Sequence, residues 1–256
     1  MKLILSGAMG TMGRVVAANA PALGCEIVAG VDREASSALA FPVFAGFDAC
    51  PADADAIVDF SHPSVLPSLL DFAVQHKIPA VIATTGMSDA DIARIHEAAG
   101  RTPIFFSFNM SLGVNLLVAL AQQATAVLGE GFDIEIIEKH HNKKIDAPSG
   151  TAVMLANAIA ETTPYDPTFV YDRHSVRKRR EPAEIGIHSV RGGTIVGEHE
   201  VIFAGMDEII TLSHSARSKG IFAIGALKAA RFLTSVQPGL YDMKSMLQAA
   251  TQEENV

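Results

Sequence analysis

The sequence has 256 residues, 49% of them hydrophobic and 19% charged, which gives material for a core and length for one large or two modest domains. A formal net charge of -8 excludes broad binding to a nucleic-acid backbone, which needs a surplus of Lys and Arg, so any nucleotide it handles is a small one. Cys25 and Cys50 are the only cysteines, and without metal-type spacing they set aside a disulfide framework, a structural zinc and a metal site in general.

Met1 to Leu5 lead directly into a first strand, and no apolar stretch approaches the roughly 18 residues of a membrane span. The expectation is a cytoplasmic protein without a membrane segment. Apolar runs at 2–6, 26–32, 56–60, 80–84 and 104–106 alternate with helix-period segments at 13–22, 65–76 and 89–99. That alternation predicts βαβ units and a parallel sheet. Ser88, followed by Asp89, Asp91 and the Ile92/Ile95 spacing, reads as the N-cap of the third helix.

Between the first run and the first helix lies Gly7-Ala8-Met9-Gly10-Thr11-Met12-Gly13. Glycines there let a pyrophosphate approach the free N–H groups of a helix start, although the spacing is GxxGxxG and not GxGxxG. Asp32 ends the second strand about 20 residues further on, where a carboxylate binds ribose hydroxyls. Arg33 beside it suits the 2′-phosphate of NADPH, so the pair predicts use of both NADH and NADPH; a solvated strand-end cation is the other reading of Arg33. Thr84-Thr85-Gly86 follows a later strand at the carboxyl edge of the sheet, where ligands bind in such folds. A simple turn fits it as well.

After a helical stretch at 114–128, whose Leu116, Leu117 and Leu120 read as a packing stripe, the texture changes. Strand-like runs follow at 133–138, 168–173, 184–191, 194–204 and 208–215. Gly192-Gly193 and Gly205-Met206-Asp207 separate consecutive runs as tight-turn residues, and the whole reads as a largely antiparallel sheet. A run of strands this long exposes a sheet face and edge, which predicts association of copies through this part. Arg177 to Arg180 is either a solvated charge run or a gatherer of anions. A helix at 221–233 is read as returning to the first domain.

The most informative segment runs from Glu138 through Lys139, His140, His141, Lys143, Lys144 and Asp146 to Pro148, Ser149, Gly150, Thr151 and Ala152. Ser149 suits the cap of the following helix, and the N–H groups of Gly150 and Thr151 then face an anion, most simply a carboxylate. Imidazole exchanges protons near neutral pH, and neighbouring ammonium groups neutralise carboxylates. The cluster suits acid catalysis on an anionic substrate; the bland alternative is a polar loop before a capped helix. A metal held by His140 and His141 is disfavoured, because adjacent strand residues point to opposite faces.

This segment resembles the signature of the 4-hydroxy-tetrahydrodipicolinate reductase family, His-His-x-x-Lys-x-Asp-Ala-Pro-Ser-Gly-Thr-Ala. Similar to further family patterns are the Gly7 to Gly13 loop, Asp59-Phe60-Ser61-His62-Pro63, the Ala83 to Gly86 turn, the Asn109 to Asn115 segment and the stretch from Ser213 to Ser218. The resemblance implies a Rossmann-like NAD(P)H-binding domain, residues 1–112 and 219–256, with an inserted α+β domain, 113–218, that binds substrate and forms the tetramer. It implies reduction of 4-hydroxy-tetrahydrodipicolinate to tetrahydrodipicolinate with loss of water, in diaminopimelate and lysine biosynthesis.

Carried over by position, His140 corresponds to the proton donor and Lys144 to a second catalytic group. His141, Ser149, Gly150 and Thr151 correspond to ligands of the cyclic dicarboxylate. For the cofactor the resemblance implies Gly7, Ala8, Met9, Gly10, Thr11, Met12, Asp32, Arg33, Ala83, Thr84, Thr85, Ser107, Phe108, Asn109 and Met110. Two departures stand out: Ala83 replaces a usual glycine, and Ser107-Phe108 replaces two small residues. The competing functions are a related dehydrogenase acting on another amino-acid precursor and a silent NAD(P)H sensor; such a sensor would lack the proton donor.

Overall fold

The computed structural model describes residues 1–253. Its first part alternates strands and helices: β1 (Lys2–Ser6), α1 (Thr11–Asn19), β2 (Glu26–Val31), β3 (Val43–Phe44), β4 (Ala56–Asp59), α2 (Leu66–His76), β5 (Ala80–Ile82), α3 (Asp89–Ala99) and β6 (Pro103–Phe106). Ser88 caps α3 in a capping box with Asp91, which also accepts the Ser88 N–H. Here the sequence signal and the hydrogen bonds coincide.

Then come α4 (Leu112–Leu128), β7 (Asp133–His140), α5 (Gly150–Ala160), β8 (Thr168–Val170), β9 (Glu184–Arg191), β10 (Gly197–Ala204) and β11 (Ile209–Ala216). The chain ends its described part with α6 (Gly220–Leu233), β12 (Gly239–Tyr241) and α7 (Met243–Glu253). Two compact units result: Met1–Leu112 with the chain from Lys219 onward, and Gly113–Ser218.

The first unit holds a seven-stranded sheet in the order β12-β6-β5-β4-β1-β2-β3, all parallel. Its central strands are buried on both faces, which is why they read as unbroken apolar runs. Leu3, Leu5, Val58, Val81 and Phe105 pack with Ala223, Ala226, Leu227 and Ala230 of α6. Ile4, Ile57, Ile82 and Ile104 pack with α2 and α3 through Leu66, Leu69 and Ile95. The short strands β3 and β12 carry too few residues for a period. The start of α7 does carry a signal that the periodicity missed: Asp242 Oδ1 accepts the Ser245 N–H, and Ser245 Oγ accepts the Asp242 N–H, both at 2.8 Å.

In the second unit the expected antiparallel sheet is a mixed one, ordered β11-β10-β7-β9-β8. β10 pairs antiparallel with β7 and β11, whereas β7·β9 and β8·β9 are parallel. Period-two alternation is the same in both kinds of ladder, so it does not reveal strand direction. Gly192-Gly193 is therefore no hairpin, because β7 lies between β9 and β10. The link crosses the end of β7, where Gly192 N–H donates to His140 O at 2.9 Å and Asn142 N–H to Gly193 O at 3.2 Å. Gly205, by contrast, does turn a hairpin, donating to Glu208 O at 2.9 Å.

One sheet face packs on α4 and α5, through Ile134, Ile136, Val201 and Phe203 against Leu117, Ala121, Leu155 and Ile159. Leu116 and Leu120 do not join this core as expected; they are 49% and 41% exposed. Being four residues apart they share a helix face, turned roughly 60 to 100° from Leu117. One helical run among the described residues, Leu112–Gly131, is also long and apolar enough by length and composition to cross a membrane, contrary to expectation. Asn115, Gln122, Gln123 and Thr125 interrupt it in sequence without adding charge.

Candidate active site

In the first unit, β1 delivers the chain to Gly7, whose φ of +76° is open to glycine at no steric cost. The N–H groups of Gly7 and Ala8 both donate to Val31 O, at 2.9 and 3.3 Å, so the loop is moored to the end of β2. Gly10 stands at the N-cap of α1 with no side-chain cap. A Cβ on Gly13 would overlap Gly7 O and Ala8 O, so this spacing lets loop and helix interlock. First-turn N–H groups without a side-chain acceptor, in a glycine cradle, fit a pyrophosphate.

Asp32 stands at the end of β2, where it also holds the loop. Its Oδ2 accepts the Met9 N–H and its Oδ1 the Arg33 N–H, both at 2.8 Å, so the carboxylate braces the loop as well as facing the adjoining cleft. That cleft, about 440 Å³, is lined by Met9, Asp32, Arg33, Glu34, Ala35 and Ser36. At the ends of β4 and β5, the Thr84 hydroxyl donates to Asp59 Oδ2 at 2.6 Å and accepts the Ser61 N–H at 2.8 Å. Thr84 is thereby committed inward and buried with Ala83, while Thr85 is exposed. Burial raises the Asp59 carboxyl above its usual range against the hydroxyls of Ser61 and Thr84.

Beyond β6, Ser107 Oγ donates to Asn109 O at 2.9 Å and Asn109 Oδ1 accepts the Ser111 N–H at 2.9 Å. Phe108 is 62% exposed and Met110 buried. Gly225 of α6 lies against Met110 O so closely that no Cβ fits, which fixes the height of this segment.

In the second unit, β7 runs two residues further than expected and puts Glu138 and His140 on one face. Glu138 is fully buried. Its Oε2 accepts from His140 Nδ1 at 2.6 Å and from Arg191 Nη1 at 2.8 Å; Oε1 accepts from Arg191 Nη2 at 2.6 Å and from the Ser149 N–H at 3.0 Å. Burial alone would raise this carboxyl, but the hydrogen bonds from Arg191 and His140 outweigh it and hold the pKa at about 2.

Ser149 caps α5, accepting the Ala152 N–H at 3.2 Å, and its Oγ meets His199 Nε2 at 3.0 Å. The rings of His140 and His199 stand edge to face, 5.2 Å apart. Lys144 Nζ pairs with Asp146 Oδ1 at 2.8 Å. His141 is half-buried, with a buried Nδ1 that has no partner among the described residues. Gly150 is exposed and Thr151 half-buried in the first turn of α5. Lys139, on the opposite face of β7, pairs with Glu200 and Glu198 at 2.9 and 3.4 Å. Glu138, Arg191 and His199 carried no role in the sequence reading; the Glu-x-His step on one strand face was the available signal.

His199 is buried, and burial followed by the charge of His140 pushes its pKa down to about 4. A histidine that folds into such a site contributes stability above its unfolded pKa near 6.5, and loses it as pH falls toward 4. The native state is expected to lose up to about 3 kcal/mol through this group across that window. Urea midpoints between pH 7 and 5 check it: wild type slopes downward and His199→Gln is flatter, while parallel curves would refute the assignment.

The run Arg177 to Arg180 is neither a free anion gatherer nor fully solvated. Arg180 binds Asp133 and Glu135 at 2.7 and 3.1 Å, and Lys178 binds Glu184 at 2.8 Å. Together with Arg173, which reaches Glu135 and Glu184, they tie the loop after β8 to the sheet, because β7 and β9 present carboxylates there.

Residues 1–110 match the family model for the dihydrodipicolinate reductase N-terminus, and residues 113–247 that for its C-terminus. The chain belongs to the dihydrodipicolinate reductase family. It is 51% identical over 250 residues to the 4-hydroxy-tetrahydrodipicolinate reductase of Caldanaerobacter subterraneus subsp. tengcongensis, covering 96% of this chain and 98% of that one. It is 45% identical to the reductase of the same name from Clostridium novyi, over 97% and 98%. In fold it is similar to the dipicolinate-bound dihydrodipicolinate reductase of Paenisporosarcina sp. TG-14, with a TM-score of 0.81 at 24% identity over 94% of this chain and 97% of that one.

As a dihydrodipicolinate reductase the chain is an oxidoreductase that reduces 4-hydroxy-tetrahydrodipicolinate with NADH or NADPH, in diaminopimelate and lysine biosynthesis. The residues present fit the cofactor. Gly7 and Gly13 let the loop pack tightly between the exit of β4 and the start of α1, where a Cβ would strike backbone, and α1 starts without a side-chain cap on its free N–H groups.

Proposed function

We propose that the segment from Glu138 to Thr151 is the centre that binds the cyclic dicarboxylate and protonates it. His140 is the proton donor to the ring carbon next to the one that takes the hydride, and Lys144 is the second catalytic group. His141, Ser149, Gly150 and Thr151 hold the carboxylates, with helix N–H groups and cationic side chains offsetting the substrate's two charges. The observation that carries this reading is the double use of Glu138. One buried carboxylate accepts both from His140 and from the amide of Ser149, which sets proton donor and helix start side by side. The dipicolinate held by the Paenisporosarcina relative supports the same substrate class here.

For the cofactor, the Gly7 to Met12 loop receives the pyrophosphate, and Asp32 and Arg33 the adenosine ribose. Thr85 and the Ser107 to Met110 segment serve the nicotinamide end, with Ala83 and Thr84 as its buried support. When bound, the nicotinamide supplies the hydride, and the protein supplies orientation and charge. Domain roles follow: residues 1–112 and 219–256 bind the dinucleotide, and 113–218 bind substrate. Two buried free cysteines and dependence on a reduced nicotinamide support a cytoplasmic location.

Kinetics with freshly made 4-hydroxy-tetrahydrodipicolinate test these roles. His141→Ala is expected to raise KM for the dicarboxylate with little change in kcat, because its contact is the same in ground and transition states. Arg33→Ala is expected to weaken NADPH by about 1 to 3 kcal/mol more than NADH, as loss of one charge-assisted contact implies. Equal losses for both cofactors would remove Arg33 from the site.

The second unit is the assembly domain of a homotetramer. The sheet face opposite α4 and α5 carries Ile137 and Ile202 among Glu135, Lys139 and Glu200, and β11 is an edge strand, a surface that association would cover. Sedimentation at micromolar concentration is expected to give four times the chain mass; a monomer mass would rule the assembly out.

A further inference from the structure

We propose that Glu138, clamped by Arg191, is the positioning residue that determines which nitrogen of His140 meets the substrate. This rests on the reading of His140 as proton donor and goes beyond it. A carboxylate at full burial is acceptor-only while ionised, and the bidentate guanidinium of Arg191 keeps it so. His140 Nδ1, 2.6 Å from Oε2, must then carry hydrogen in both protonation states of the ring. Only Nε2 is left to exchange a proton, and the imidazole that remains after transfer has a single tautomer.

Two further observations point the same way. Across the ladder from His140 stands Gly197, where a Cβ would lie 3.0 Å from Nε2; glycine leaves that nitrogen uncovered on its cross-strand side. Arg191 Nη2 also donates to Asp146 O at 2.7 Å, and the Asp146 carboxylate holds Lys144. One guanidinium thus sets the strand bearing His140 and the loop bearing Lys144. A pair serving stability alone would not need to reach the carbonyl of that loop.

The test combines ¹⁵N spectra of the histidine rings with kinetics of the full-length enzyme. The His140 ring signals are assigned by their loss in His140→Gln. In wild type the neutral ring is expected as the Nδ1–H tautomer alone. In Glu138→Gln the amide no longer enforces this, and a mixture or the Nε2–H form is expected. kcat is then expected to drop by at least about 10-fold and by as much as about 10⁴-fold, the loss when the carboxylate that holds a catalytic histidine in one tautomer becomes an amide, with KM for the dicarboxylate and Kd for NADH nearly unchanged. Should Glu138→Gln fail to fold with Arg191 unpaired, the neutral pair Glu138→Gln/Arg191→Gln takes its place, and the same readouts apply.

A tautomer that follows Glu138 together with a crippled His140→Gln supports the proposal. If His140→Gln is crippled but the tautomer or kcat is indifferent to Glu138, the positioning role is overturned while the proton donor stands. An active His140→Gln overturns the reading on which the proposal rests, and the proposal with it.

Discussion

Replacing His140 by glutamine is expected to lower kcat by about 10² to 10⁴-fold, the contribution of a positioned general acid, while NADH affinity hardly changes. The loop proposed for the nucleotide and His140 belong to different compact units, so the variant removes the proposed proton donor without changing the Gly7 to Gly13 loop itself. Glutamine retains an N–H that can answer Glu138, which keeps the carboxylate and Arg191 from being stranded in the interior. Lys144→Ala is expected to act in the same direction, and it also releases Asp146 from its ion pair. Steady-state kinetics paired with fluorescence titration of NADH separate the two effects. Near wild-type kcat in both variants would reduce the segment to a polar loop before a capped helix.

What the sequence disclosed depended on whether the signal was local. The strand β1, the glycine loop, the Ser88 N-cap and the Ser149 cap are written in neighbouring residues, and each takes its expected place. His140 and Ser149 come from one segment but meet through Glu138, whose only local signal is its place two residues before His140 on the same strand face. Arg191 and His199 lie 53 and 50 residues from their partners, and only the sheet order β10-β7-β9 makes them neighbours. The mistaken antiparallel sheet has the same cause. Alternation fixes which side chains share a face but not which strands are adjacent, and Gly192-Gly193 looks alike whether it turns a hairpin or crosses a strand end. Thr84 and Asp32 show a subtler limit: both lie where the cofactor was expected, yet their polar atoms also hold the protein's own loops.

Gly7→Ala is expected to weaken NADH binding at least 100-fold, about 3 kcal/mol, and to lower the unfolding temperature. Alanine at a φ of +76° costs about 1 to 2 kcal/mol by itself. The new Cβ would also stand 2.5 Å from Phe60 O and 2.9 Å from Ser61 Cα, backbone atoms at the exit of β4 that cannot rotate away. The loop has to shift, and with it the N–H groups of Gly7 and Ala8 leave Val31 O and the Met9 N–H leaves Asp32. The cradle proposed for the pyrophosphate then loses its shape. Gly13→Ala is expected to act alike, since its Cβ overlaps the carbonyls of Gly7 and Ala8. Gly46→Ala supplies the control: its backbone is extended and nothing lies within 4 Å of the added carbon, so both NADH affinity and stability are expected to hold. Titration by nicotinamide fluorescence, with thermal unfolding on the same samples, distinguishes a damaged cradle from a damaged fold. An NADH affinity for Gly7→Ala equal to that of Gly46→Ala would place the pyrophosphate elsewhere in the molecule.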